Sequence, residues 1–74
     1  MSARPGYIRT APPSPRFLEH LAAMADGLTE KETAALLWLT VNSVKSARRR
    51  IFERLGARNA VHAVHLAHQK GLLK

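Results

Sequence analysis

Seventy-four residues leave room for one small domain, and with no cysteine its core must come from tightly packed helices rather than from disulfides. Twelve Lys and Arg against five Asp and Glu give a net charge of +7 and a pI near 11.3, which points to an anionic partner: nucleic acid, an anionic membrane or an acidic protein. The length argues against a large enzyme active site, and no apolar run approaches the roughly 20 residues that cross a bilayer.

Residues 1–13 contain Pro5, Pro12 and Pro13, one glycine, and Arg4 and Arg9, with no apolar periodicity, so a flexible, disordered basic arm is expected there. The plainer reading makes it a leader; the sharper one has its two arginines touching phosphates or a minor groove. It contains no apolar segment ending in a cleavage-type site, so a cytoplasmic protein is expected, and the lack of Cys suits that compartment. Met1 and the shortness of the arm suggest a complete chain.

A domain over residues 14–74 follows. Ser14-Pro15 is an N-cap followed by proline at the first helical position, where the missing N–H is not needed. Phe17, Leu18, Leu21, Met24 and Ala25 recur at helical spacing and predict a buried stripe that stops at Gly27. Thr29 to Glu32 has the capping-box pattern, opening a second helix to about Leu37 that buries Thr33, Ala34 and Leu37. Only Trp38 and Leu39 separate it from Thr40, a further N-cap, so two short helices meet through a tight turn, with Ala34 small enough to let them cross. Trp38 is expected to cover that crossing rather than to stack on a base.

The next helix runs from Thr40 to Leu55 and ends at Gly56. At 100° per residue Val44, Ala47, Ile51 and Leu55 share one face, while Asn42, Lys45, Ser46, Arg49, Arg50 and Glu53 cover the other. Lys45, Arg48, Arg49, Arg50 and Arg54 are opposed by Glu53 alone, a net charge of +4 on one helix. Asn59 caps a last helix to about Lys70, with Ala60, Ala63, Val64 and Ala67 facing in, and Gly71 turns Leu72 and Leu73 back onto the core. The expected fold is all-α: a four-helix helix-turn-helix domain behind a basic arm.

The charge is segregated. Residues 14–37 hold Arg16 and Lys31 against Glu19, Asp26, Glu30 and Glu32, a balance of −2, so the basic surface belongs to the third helix. That pattern suits a helix presented to a phosphate-lined groove. His62, His65 and His68 recur every three residues on the last helix. A drift of about 60° per step, with no carboxylate or cysteine beside them, argues for an exposed or pairing stripe over a metal site. Ser14, Ser43 and Ser46 have no His and acidic partner at catalytic spacing, so neither catalytic residues nor cofactors are expected.

These residues resemble the LuxR-type (GerE-type) DNA-binding domain of bacterial transcription regulators. The likeness is carried by Ala25-Asp26-Gly27-Leu28-Thr29, Lys31-Glu32, Ala34, the run Leu37 to Ser46, Ile51-Phe52, Arg54-Leu55-Gly56 and Lys70-Gly71-Leu72-Leu73. It extends from Ser14 to Leu73. The resemblance implies a recognition helix in the major groove over residues 41–55 and pairing of two copies through the last helix, giving a homodimer that regulates transcription in a bacterial or phage setting. By this likeness Lys45 and Arg49 contact phosphates or bases, and Asn42, Ser43 and Ser46 lie near the groove. With Thr40, Arg50 and Arg54 they make up the expected DNA-binding set, and Val61, His62, His65, His68 and Gln69 the expected dimerisation set. Arginine suits the role through two parallel bonds to guanine, worth ~1–3 kcal/mol of discrimination.

The sequence departs from the family at Ala47, where histidine is common, at Arg48, where leucine is usual, at Phe17 for glutamate and at Ala60 for arginine. Arg48 lies about 40° from Val44, so its methylenes are expected to pack while its guanidinium reaches Glu19 or the DNA backbone. A receiver or ligand-binding domain, the usual neighbour in this family, is not seen. The alternative reading is therefore a small interaction module that pairs with a full-length LuxR-type regulator or an RNA polymerase component and modulates it.

Overall fold

The computed structural model describes residues 14–73. The expected arm over residues 1–13 lies outside them. Four helices follow one another: α1 Pro15–Ala25, α2 Glu30–Leu37, α3 Val41–Leu55 and α4 Ala60–Gln69. No strand occurs among the described residues.

Each helix starts where a short polar side chain takes up a first-turn N–H. The Ser14 hydroxyl accepts from the Phe17 amide at 3.2 Å. At α2 the box is reciprocal: Thr29 Oγ1 accepts from the Glu32 amide at 3.0 Å, and Glu32 Oε1 from the Thr29 amide at 2.8 Å. Thr40 Oγ1 accepts from the Ser43 amide at 3.1 Å, and Asn59 Oδ1 from the His62 amide at 2.8 Å. Every such cap is worth roughly 0.5–2 kcal/mol, a large share for helices this short.

The helices end by one shared device. An amide bonds back to the carbonyl five residues earlier: Leu28 to Ala23, Leu39 to Ala34, Ala57 to Phe52 and Leu72 to Ala67, all at 2.8–3.0 Å. The residue before that amide must turn left-handed, and at three of the four ends it is Gly27, Gly56 or Gly71. At the end of α2 it is Trp38, with φ 60° and ψ 43°. A side chain in that conformation costs about 1–2 kcal/mol.

α1 packs on α3 and α4, α2 packs on α3, and α3 on α4. Leu21, Met24, Ile51 and Ala67 form the centre, with Phe17, Leu18, Phe52, Leu55, Ala60, Val64, Leu72 and Leu73 packed around them. The return of Leu72 and Leu73 after Gly71 is as expected. Val44, Thr33, Ala34 and Ala63 are also buried, so the small residues at 34 and 63 sit where helices meet.

Three expectations are corrected. The buried face of α1 is rotated toward His20 and Ala23, leaving Ala25 exposed, because α1 packs on two helices rather than one. Trp38 does not cover the helix crossing: it is 92% exposed, since its left-handed backbone turns the side chain away from the core that Ala34 and Thr33 fill. Arg48 reaches neither Glu19 nor the outer face of α3; its Nη2 donates to the Leu28 carbonyl at 3.0 Å and to Thr33 Oγ1 at 3.4 Å. Glu19 is paired instead with Arg16, one turn away at 3.2 Å.

Candidate nucleic-acid interface

α3 is a fifteen-residue helix whose two faces differ in role. Val44 and Ile51 are buried, with Ala47, Arg48, Phe52 and Leu55 half-buried beside them. This anchors the helix by one side and leaves the other to solvent. All eight expected contact residues, Thr40, Asn42, Ser43, Lys45, Ser46, Arg49, Arg50 and Arg54, are exposed.

They are not equivalent. Asn42, Ser43, Ser46 and Arg50 line a shallow concavity of about 360 Å³, floored at Ala47. Lys45 and Arg49 lie on the adjoining exposed flank, one helical turn apart. The Thr40 hydroxyl is engaged at both ends, accepting from the Ser43 amide and donating to Ser43 Oγ at 3.0 Å, so it fixes the start of the helix. Arg54 has its guanidinium over the Phe17 ring, 5.0 Å from the centroid. That contact joins the last turn of α3 to the start of α1.

The start of α1 borders this surface. A second cleft of about 150 Å³ is lined by Ser14, Arg16, Phe17, His20, Ala47, Arg50 and Ile51, so it shares Ala47 and Arg50 with the concavity. Arg16 links α1 to the end of α2, its Nη1 donating to the Leu37 carbonyl at 3.4 Å, directly before Trp38. Surface pairing of Arg16 with Glu19, each half-exposed, adds little stability.

His20 is the ionisable group the cleft hides. It is 2% exposed, and neither ring nitrogen has a hydrogen-bond partner among the described residues. Burial above all, then the Arg16 and Arg48 guanidiniums, hold its pKa below the usual 6.5, with Glu19 pulling the other way. The imidazole therefore sits in the fold as a neutral ring.

A helix capped at both ends, anchored by one face, with a net charge of +4 and joined to α2 by a turn of three residues, is the second helix of a helix-turn-helix with a strongly cationic exposed face. The family model described as bacterial regulatory proteins, luxR family, matches residues 13–67. The chain belongs to that family. It is thereby a helix-turn-helix DNA-binding regulator of transcription, and the resemblance carried by the sequence holds. No curated protein matches this LuxR-family chain individually.

On α4 of this LuxR-family domain, Val61 is 81% exposed and His65, His68 and Gln69 are exposed, forming a surface beside the half-buried His62. Among the described residues no cluster of His, Asp or Glu is arranged to hold a metal ion, and no helix is long and apolar enough to cross a membrane. His62 serves its own helix end, where its Nδ1 accepts from the Arg58 amide at 3.1 Å while its own amide donates to Asn59. It thus ties the residue before the N-cap to the first turn of α4, one position short of the N-cap amide that a capping box would engage.

Proposed function

We propose that this domain reads a specific duplex sequence by laying α3 in the major groove, and that two copies pair through α4 on a two-fold related site. The supporting observation is the two-sided build of α3: a fixed apolar face beneath and eight exposed polar or cationic side chains above. Lys45, Arg49 and Arg50 are the principal contacts, Asn42, Ser43 and Ser46 the short polar groups next to base edges, and Thr40 and Arg54 the flanking backbone contacts. Pairing is assigned to Val61, His65, His68 and Gln69, with His62 at its margin. Residues 14–74 act as the binding domain, in the cytoplasm, with no cofactor.

The test compares two arginines. Arg49→Ala lowers the ratio of affinities for preferred and mismatched duplexes, by about 1–3 kcal/mol at the base pair it reads. Arg54→Ala weakens all duplexes alike and reduces the slope of log affinity against log salt by about one. Equal small effects from both variants would overturn the assignment.

A further inference from the structure

Trp38 stands where the other three helices place glycine. The same back-bond closes each helix end, and at each end the residue before the bonding amide is left-handed. Gly27, Gly56 and Gly71 adopt that conformation freely, whereas Trp38 adopts it against its own side chain. The conformation lets the Leu39 amide close the helix end, but the indole itself gains no packing, being 92% exposed. Backbone strain of this kind collects at functional sites, and here it holds an aromatic ring out from the fold.

Its position says which partner. Trp38 lies two residues before Thr40, at the N-terminal end of α3, the end that helix-turn-helix domains direct at base edges. A group just outside that end meets the sugar-phosphate ridge bordering the groove. The first-turn amides of α3 present positive partial charge beside it, and the Arg16 guanidinium is bonded to the carbonyl of the preceding residue, Leu37, although Glu19 pairs with the same nitrogen at 3.2 Å and offsets its charge. Glu30 and Glu32 belong to the first turn of α2, the end away from Trp38. Stacking on bases requires unpaired bases, which a duplex does not offer.

We infer that Trp38 is a backbone contact that completes the DNA interface: its ring lies on a deoxyribose at the groove edge and its Nε1–H donates to a phosphate oxygen. Indole is a donor only, so the bond runs in one direction. The contact is neutral and reads no base. It acts as a clamp that sets where α3 enters the groove. This rests on the DNA-binding reading of α3.

Trp38 is the one tryptophan of the chain, so its emission reports on this position alone. In a titration of the full chain with its preferred duplex, the emission changes and acrylamide loses access to the indole. Trp38→Gly melts at the same temperature as the parent or up to about 4 °C higher, since glycine relieves the left-handed strain. It binds about three- to tenfold more weakly, with the same order of preference among duplexes. Its salt slope is unchanged, because no cation has been removed. Trp38→Phe, which keeps the ring without the N–H, falls between the two. Emission and quencher access that stay constant at saturating duplex, or Trp38→Gly binding within twofold of the parent, would overturn the inference. If Arg49→Ala still relaxes sequence preference in that case, the Trp38 contact fails alone. If the parent chain shows no sequence preference at all, the reading of α3 fails and this contact with it.

Discussion

His20 occupies a core position with a side chain that the core cannot satisfy. Both ring nitrogens are buried without a protein partner among the described residues, at roughly 1–3 kcal/mol for each unsatisfied group, and charging the ring would be worse. Its folded pKa lies below the unfolded value of 6.5, so the unfolded chain binds the proton more readily. The stability linked to neutral His20 is therefore complete above about pH 6.5 and is lost as the pH falls toward the folded pKa. Thermal melts of the parent should show a falling melting temperature below pH 6.5. His20→Leu should melt higher at pH 7 and lose most of that acid sensitivity; an identical pH profile in the variant would show that His20 is not its source. The burial has a trace in the sequence, since His20 is three residues after Phe17 and four before Met24, but a polar side chain on that spacing reads as surface.

At the scale of elements, the local chemistry is almost fully legible in the sequence. Ser14, Thr29, Thr40 and Asn59 cap the four helices because each side chain needs only its own next turn to find a partner, and Gly27, Gly56 and Gly71 end three of them for an equally local reason. What escapes depends on distant segments. The helical period places Arg48 at the edge of the buried stripe, as found, yet its partner, the Leu28 carbonyl, lies twenty residues away in the α1–α2 connection, and no period reveals that. The exposure of Trp38 escapes because a left-handed tryptophan contradicts the residue preference that makes turns readable. The Arg48 tie has a measurable worth. Arg48→Ala should lower unfolding stability by about 1.5–3 kcal/mol in urea or heat, as loss of a charged donor to a partly buried carbonyl does, without altering the order of preference among duplexes. A variant as stable as the parent, or one with changed sequence preference, would move Arg48 from the fold to the interface.

Taken whole, the domain separates holding from reading. A first half with an acidic balance and a small helical core support one strongly cationic helix, in a domain whose family binds DNA. The eight proposed contact residues are legible as an exposed set because amphipathicity and charge are sequence properties, while their division into a concavity, a flank and an Arg54–Phe17 stack is a property of the packed helices. The central claim is that α3 reads sequence and that two copies do so together. Selection of bound duplexes from a random pool at near-physiological salt, with the purified chain alone, tests it most directly. Enrichment of a two-fold symmetric site is the predicted result. Weak binding without sequence preference, falling steeply with salt, would contradict it and reduce the charge of +7 to plain electrostatic attraction.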